Sequence, residues 1–354
     1  MAIAAASTSA LSATTRRNGR AILTPVASWA MDFERFCSSS RVMIVAGKGG
    51  VGKTTVSAAL AIAATRAGAR VLIVEVEGKS GLAACFGMPP LTYEEAQFRP
   101  GLRARTLTPD DALMEYLHDH GLRRIGRRLS NSGALEVVAT AVPGMKDILV
   151  LGKVKQLERA GVADLIVLDA PAAGHAVQFL LSAQGLLDAV KVGPVNKQAT
   201  DVVELLTDPA RCQVMLVTVP EETPVNELVD TAYAVEDRAG VALAPIVVNG
   251  AVSDVAGLTS TPSTNGATGA LQRDAALAGV DVDPNVLRGL VDAARFRVEL
   301  RARQQEQRAR LATLLPLPQV ELPFLFTAEI GPNEIDLLAD ALAAGVDALE
   351  PATP

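Results

Sequence analysis

Aromatic residues and cysteines are both scarce in this chain of 354 residues. Phe, Trp and Tyr make up 3% of it while 49% of the residues are apolar, so the core must consist of Ala, Val and Leu. This composition favours Ala-rich helices around a Val/Leu/Ile-rich sheet over a sandwich of aromatic-rich strands. The three cysteines, Cys37, Cys85 and Cys212, form no Cys-x-x-Cys pair. Their spacing argues against a zinc knuckle or a disulfide framework and favours a reducing cytoplasm.

The chain also lacks an excess of positive charge and a long apolar run. Lys and Arg number 33 against 39 Asp and Glu, and this net charge of -6 argues against binding nucleic acid through its phosphates. The longest charge-free helical stretch, Ala170–Leu187, is interrupted by proline, histidine and two glutamines, so we expect no integral membrane segment. The first 31 residues contain no acid. A targeting segment around Arg16-Arg17 is one interpretation, and a disordered tail, or a start wrongly assigned upstream of Met31, is the favoured one.

Short apolar runs that are nearly continuous predict strands buried on both faces of a parallel sheet. They are Arg41–Ala46, Arg70–Val76, Leu165–Asp169, Gln213–Val219, Pro245–Asn249 and, more weakly, Gln319–Leu322. Helical patterns lie between and after them, at Thr54–Ala67, Asp111–Leu129, Gly144–Ala160, Gly174–Leu187, Val195–Leu206, Pro224–Ala239, Pro284–Leu315 and Asn333–Glu350. Strands that alternate with helices predict an α/β fold with a doubly wound, mostly parallel sheet.

The same pattern predicts one domain over residues 41–350, which follows a loosely attached tail over residues 1–40. Residues 89–161 hold helical patterns without a convincing strand, so we expect a helical insertion there. Residues 257–270 are rich in Gly, Ser, Thr and Pro, and are predicted to form a mobile loop.

The strongest signal is the segment RVMIVAGKGGVGKTT at residues 41–55, which contains G-x-x-x-x-G-K-T between a predicted strand and a predicted helix. Glycines let backbone N–H groups surround phosphate oxygens, and the helix adds the positive end of its dipole. Lys53 would reach the β- and γ-phosphates of ATP, and the Thr54 hydroxyl would bind Mg²⁺. The predicted nucleotide-binding residues are Gly47, Gly49, Gly50, Val51, Gly52, Lys53, Thr54 and Thr55.

A second lysine, Lys48, makes the run KGGVGKT resemble the deviant phosphate loop of the ArsA-like ATPases. That wider family includes the arsenite-pump ATPase, the eukaryotic ATPase that targets tail-anchored proteins, and the MinD and ParA proteins. The resemblance is strongest to the single-domain ArsA-like form of high-GC Gram-positive bacteria. It implies a P-loop fold, ATP hydrolysis, and a nucleotide-sandwich dimer in which Lys48 touches the nucleotide of the partner, either a second copy or a paralogue.

The resemblance also assigns two switches. Asp169 ends a predicted buried strand, where a carboxylate can hold the water shell of Mg²⁺. The segment from Asp169 to His175 is similar to the DTAPTGH second switch of the ArsA branch. The segment VLIVEVEGKSGLAACFG aligns with the first switch VLLISTDPAHNLSDAFG, which implies that Glu77 stands where the family has its catalytic aspartate. Glu77 is one methylene longer, so we expect slow or partner-dependent hydrolysis.

Adenine recognition is implied for two further places. The family uses an asparagine at the end of a late strand and a loop with proline near the carboxyl terminus. Asn249 in PIVVNG and Pro323-Phe324 in VELPFLF match them, although both could be ordinary turns at strand ends.

Several functions fit a chain of this kind, and the first is an ATP-driven dimeric switch with an unknown protein client. Arsenite extrusion would need clustered thiolates; Cys85 and Cys212 could meet in space, but their sequence contexts match no arsenite site. Targeting of tail-anchored proteins would need a methionine-rich apolar groove, but only Met114 and Met145 lie in the expected insertion. A positioning ATPase of the MinD type would need a basic terminal helix, whereas Asn333–Glu350 contains no Lys or Arg. DNA binding of the ParA type is opposed by the net charge, although a local patch of Arg123, Arg124, Arg127 and Arg128 could act.

Two alternatives remain open. Glu77 is compatible with a non-hydrolysing regulatory subunit that supports an active paralogue. A metabolic P-loop ligase or kinase would need a substrate pocket that the sequence does not reveal.

Overall fold

The computed structural model describes residues 32–76, 81–119, 144–171, 173–255, 258 and 264–349 of the chain. A β-sheet lies at the centre of these residues. Within these residues the strands are β1 Val42–Gly47, β2 Val71–Val76, β3 Ala96–Arg99, β4 Leu102–Leu107, β5 Leu165–Asp169, β6 Cys212–Thr218, β7 Ala242–Leu243, β8 Ile246–Ala251 and β9 Gln319–Pro323. The order across the sheet is β3-β4-β2-β5-β1-β6-β8-β9, and the short β7 pairs with β6. Only the β3–β4 pair among them is antiparallel. The prediction of a mostly parallel α/β sheet is therefore confirmed.

Helices cover both faces of this sheet. Those described are α1 Phe33–Ser38, α2 Lys53–Arg66, α3 Leu82–Cys85, α4 Pro109–Asp119, α5 Met145–Arg159, α6 Ala173–Ala189, α7 Pro194–Thr207, α8 Glu222–Tyr233, α9 Thr264–Leu277, α10 Pro284–Leu314 and α11 Pro332–Asp347. A single π-helical turn, Ala234–Arg238, continues α8. No described helix is long and apolar enough to cross a bilayer.

β1 lies at the centre of the sheet and is buried on both faces. Val42, Ile44 and Ala46 pack into the layer that contains α5, α6 and α7, while Met43 and Val45 pack into the layer that contains α1, α2 and α11. The continuous apolar run of β1 has this origin, since neither set of alternating side chains meets water.

Helix α2 has almost no polar face. All nine residues from Val56 to Ala64 are buried, because the helix lies between the sheet and α11. Five of these nine are alanine, and small side chains let the backbones approach each other closely. α11 approaches the sheet just as closely, because a Cβ atom added to Gly345 would lie 2.6 Å from Val320 Cγ1.

Three segments differ from the expectations. Two strands, β3 and β4, lie within residues 89–161, where only helices were expected. They were missed because they lie at the edge of the sheet and carry arginines, such as the buried Arg105, instead of a continuous apolar run. Residues 264–270 of the expected mobile loop begin α9, while residues 256–257 and 259–263 lie outside the described residues.

The third difference concerns the segment before β1. Residues 32–40 of the expected tail pack onto the domain through α1, whose Phe33, Phe36 and Cys37 are buried. The backbone N–H of Phe33 also donates a hydrogen bond of 2.7 Å to the carboxylate of Asp347 in α11. Residues 1–31 lie outside the described residues, and the division into one domain with an insertion stays a prediction.

Replacement of Phe36 with alanine tests whether α1 is part of the core. Phe36 is 1% exposed, so Phe36→Ala is expected to lower the free energy of unfolding by about 3 kcal/mol through lost burial and a cavity. Urea denaturation followed by circular dichroism would measure it. Arg35→Ala on the exposed side of the same helix is the control and should change stability by less than about 0.5 kcal/mol. Equal stability of the two variants would contradict this packing.

Candidate functional site

The loop between β1 and α2 contains two glycines, Gly47 and Gly52, at which a Cβ atom would meet a neighbouring atom. A Cβ atom on Gly47 would lie 2.3 Å from the carbonyl oxygen of Val217 in β6. Gly52 has φ +90°, and a Cβ atom there would lie 2.3 Å from Asn249 Nδ2. Gly50 also has a positive φ, +87°, whereas Gly49 faces open space. The loop therefore turns in a conformation that suits glycine and keeps side chains out of its concave side.

The first turn of α2 opens directly into this loop. Gly52 is its N-cap residue, so no side chain caps the N–H groups of the turn. Lys53, Thr54 and Thr55 in this turn are each partly exposed, while Val51 before it is buried. Uncapped N–H groups at the start of a 14-residue helix, together with its dipole, are the usual binding site for phosphate.

The side chain of Lys53 folds back over the loop. Its Nζ atom donates a hydrogen bond of 3.1 Å to the carbonyl oxygen of Lys48. Burial lowers the pKa of the Lys53 ammonium group from its usual range, and the charge of Asp169 opposes that shift. A cation that is partly removed from water in this way attracts an anion more strongly than an exposed lysine does.

Asp169 lies at the end of β5 and is 3% exposed. Its Oδ2 atom accepts a hydrogen bond of 2.8 Å from the Thr54 hydroxyl, and its Oδ1 atom accepts one of 3.3 Å from the Ser57 hydroxyl. The structure thus brings Asp169 to Thr54 across 115 residues of sequence. Ser57 was missed by the sequence analysis, although its place one turn after Thr54 on α2 was a usable signal.

Lys48 points to a neighbouring helix of its own chain. Its Nζ atom lies 2.6 Å from Glu227 Oε1 on α8, and the two side chains are 39% and 43% exposed. Glu227 was also missed, because nothing in the sequence relates it to a loop 179 residues earlier.

Of the residues expected to recognise adenine, Asn249 contacts the same loop, while Pro323 and Phe324 lie beside the end of β8. Asn249 Nδ2 donates a hydrogen bond of 2.9 Å to the carbonyl oxygen of Val51. Pro323 pairs with Ala251, and the Phe324 N–H donates a hydrogen bond of 2.8 Å to the Ala251 carbonyl oxygen, so β9 ends beside β8. The half-exposed Phe324 packs edge-on against Phe326, with ring centroids 5.0 Å apart.

Two further predicted residues lie wholly or partly outside the described residues: Glu77, predicted to be catalytic, and His175, predicted to act in the second switch. Glu77 belongs to residues 77–80, which lie outside the described residues. His175 lies in the first turn of α6, and its side chain lies outside the description as well.

The cysteines do not form a thiolate site. Burial raises the pKa of Cys37 to about 12 and also raises the pKa values of the Cys85 and Cys212 thiols. Cys212 begins β6 beside Val42, at the amino edge of the sheet, whereas Cys85 lies in the other core layer near Asp169. The expectation that Cys85 and Cys212 could meet is therefore wrong. Among the described residues, no three His, Cys, Asp or Glu side chains form a group that could hold a metal ion.

The donors in this site suit a nucleotide and a hard divalent cation. Backbone N–H groups and an ammonium group bind phosphate, while a hydroxyl and a carboxylate are the oxygen ligands that Mg²⁺ prefers. These residues therefore fit the Mg²⁺-nucleotide complex that the motif implies.

Comparison with known proteins gives the same resemblance. The family model for anion-transporting ATPases matches residues 40–192. The ATPase BagA of Mycobacterium tuberculosis is 37% identical over 226 residues, which cover 60% of this chain and 65% of that protein. A protein of Halobacterium salinarum named for an arsenical pump-driving ATPase is 26% identical over 228 residues, 59% of this chain and 35% of that protein. The ATPase get3 of Schizosaccharomyces japonicus is 30% identical over 146 residues, 40% of this chain and 44% of that protein.

The chain thus spans less than two thirds of the length of each of these relatives. The matched segment contains the phosphate loop, α2 and Asp169, the elements that build the site described above. The resemblance that the phosphate loop indicated is confirmed: this chain is similar in sequence to the anion-transporting ATPases.

Proposed function

We propose that this chain is a dimeric switch that binds and hydrolyses ATP and couples its nucleotide state to the binding of a client or partner. The observation that carries the proposal is the hydrogen bond of 2.8 Å between Thr54 Oγ1 and Asp169 Oδ2, directly below an uncapped glycine loop. This hydrogen bond connects the first turn of α2, which would bind phosphate, to a buried carboxylate at the end of β5.

The phosphate chain would lie in the loop of Gly47, Gly49, Gly50, Val51 and Gly52. Its oxygens would accept hydrogen bonds from backbone N–H groups at the start of α2, and Lys53 would exchange its bond to the Lys48 carbonyl for the β- and γ-phosphates. The partial burial of Lys53 strengthens its attraction for this anion. Thr55 would complete the first turn of the helix.

Thr54 and Asp169 would hold Mg²⁺, Asp169 through a water molecule. The ion supplies positive charge to the phosphate oxygens when it is bound. Glu77 would orient the attacking water at the end of β2, in the role that the family gives to an aspartate. Asp169 and His175 would relay the presence of the γ-phosphate to α6, since α6 begins four residues after Asp169.

The base would lie beside Asn249, Pro323 and Phe324. Asn249 is joined to the phosphate loop through Val51, and Phe324 offers an exposed ring on which a purine can pack. Arg297 lies 5.3 Å from the ring centroid of Phe326 and supports the aromatic pair from outside.

Lys48 supports the dimer. A lysine that completes the site of a partner must leave its own chain, and Lys48 is bonded to the partly exposed Glu227 on the surface beside the phosphate loop. Breaking an ion pair that is this exposed costs little. A partner's nucleotide would therefore compete with Glu227 for Lys48.

The choice of client is narrowed by two observations. The buried thiols, with raised pKa values, argue against arsenite as the cargo, because thiolates are the species that bind it. α11 carries Glu334, Asp336, Asp340 and Asp347 and no Lys or Arg. This negative charge argues against the reversible binding to anionic membranes that is typical of MinD. We therefore favour a protein client or partner.

Steady-state ATP hydrolysis across a wide range of protein concentration tests the enzyme and the dimer together. We expect the rate per molecule to rise with concentration, because each site needs Lys48 of a partner. Lys53→Ala should lower the rate at least about a hundredfold, since it removes a cation from the transferring phosphate.

ATP binding, followed by equilibrium dialysis, is the companion measurement. Binding that is equal in the wild type and in Lys53→Ala would contradict the proposed phosphate site. Binding by the wild type without any turnover above the Lys53→Ala variant would instead favour the non-hydrolysing subunit of a heterodimer.

Glu227→Gln tests the competition for Lys48. Removal of the ion pair should raise the rate per molecule at low protein concentration about two- to fivefold, the range expected for an exposed pair. Lys48→Ala should abolish the rise of rate with concentration. Glu222→Gln, an exposed carboxylate in the first turn of the same helix, is the control and should leave the profile unchanged. A Glu227→Gln profile identical to wild type would contradict the competition.

A further inference from the structure

Glu75 is a charged residue in a strand that otherwise belongs to the core. β2 reads VLIVEV, and Val71, Leu72, Ile73 and Val74 are each no more than 1% exposed. Glu75 is 4% exposed. Burial of a carboxylate is unfavourable unless its charge has a use or a compensating group, and exceptions to a local pattern of this kind occur most often at functional sites.

The sheet register places Glu75 in one row with Asp169. Glu75 of β2 is opposite Asp169 of β5 on one side and opposite Thr106 of β4 on the other. Residues in one row of a parallel sheet project from the same face. Asp169 faces α2, because Thr54 and Ser57 of that helix donate to it.

The other residues of β2 support the same orientation for Glu75. Ile73, two residues earlier, packs into the core layer of α2, whereas Leu72 and Val74 pack into the opposite layer. The alternation of a strand therefore directs Glu75 towards the start of α2. The Thr106 hydroxyl donates a hydrogen bond of 2.8 Å to Glu75 Oε2 and fixes the position of the carboxylate.

Neighbouring strands lie about 4.8 Å apart, so the backbone positions of Glu75 and Asp169 lie about that far apart, and both residues are on the face of the sheet that α2 covers. Two like charges at such a distance repel each other, and a divalent cation with its water shell offsets the repulsion. Mg²⁺ is commonly held by one or two carboxylates together with water and substrate phosphates.

We propose that Glu75 is a second carboxylate for the bound Mg²⁺, and that it holds the water shell of the ion beside Asp169. The inference rests on the proposed nucleotide site and adds to it a residue to which neither the phosphate loop nor the alignment with the first switch assigned a role. Glu75 acts through water in this arrangement, so it is a positioning residue, and Thr106 in turn positions Glu75.

Binding of Mn²⁺ to the full-length protein with ADP, measured from the free-ion electron paramagnetic resonance signal, tests this role without any turnover. Glu75→Gln keeps the size of the side chain and its bond from Thr106 while it removes the charge. We expect the dissociation constant of Mn²⁺ to rise about tenfold. This is the smallest loss of metal affinity usually seen when a residue that orients a metal's ligands is replaced. ADP affinity in the presence of a chelator should stay within about twofold of wild type, because Glu75 does not contact the nucleotide.

Two further variants separate this role from a structural one. Thr106→Val keeps the charge but removes the orienting hydroxyl, so it should weaken Mn²⁺ binding by a smaller factor, about threefold. Glu158→Gln removes another buried carboxylate, one that pairs with Arg211 and Arg41 at the amino edge of the sheet, and should leave Mn²⁺ affinity unchanged.

Wild-type Mn²⁺ affinity in folded Glu75→Gln would overturn the proposal. If that variant does not fold, wild-type affinity in Thr106→Val would overturn it instead. A wild-type protein that binds no ADP, with or without metal, would overturn the proposed function itself, so the two failures are distinguishable.

Discussion

The burial of β1 between β5 and β6 is the constraint on which the rest of the molecule depends. β1 is covered on both faces, so the segment that follows it leaves the sheet at the carboxyl edge. The carboxyl ends of the neighbouring parallel strands β5 and β6 lie at the same edge. The turn there passes so close to β6 that only glycine fits at residue 47. The loop and the uncapped start of α2 follow from that turn, and so does the contact between Thr54 and Asp169.

The surroundings of the loop connect it to distant parts of the chain. Asn249 joins it to the end of β8, and Gln304 of α10 bonds to the backbone of Gly250 and Val252 just beyond. α10 is 31 residues long, and its Arg310 also contacts Asn226, the neighbour of Glu227. One helix therefore contacts both the end of β8, beside Asn249, and α8, whose Glu227 pairs with Lys48.

Much of the fold could be predicted because apolar periodicity reports burial directly. The strands β1, β2, β5, β6, β8 and β9 correspond to the six apolar runs, shifted by at most two residues at either end. β3 and β4 could not be found in this way, since their arginines are accommodated by tertiary contacts such as the stacking of Arg105 on Tyr93 at 4.2 Å. α1 was missed for a different reason: it is short, and only its contacts with α2 and α11 show that it belongs to the core.

The sequence by itself determined the parallel sheet, the phosphate loop and the residue types that bind a nucleotide. These are local features, set by backbone freedom at glycine, by the start of a helix and by the alternation of burial. Only the tertiary structure decided that Asp169 meets Thr54 and Ser57, that Glu227 pairs with Lys48, and that the three thiols are buried, with Cys85 and Cys212 in different core layers. Glu75 belongs to the same group, because its position in a row with Asp169 depends on strand order and register. Such contacts join residues far apart in the chain, and no local pattern of residues specifies them.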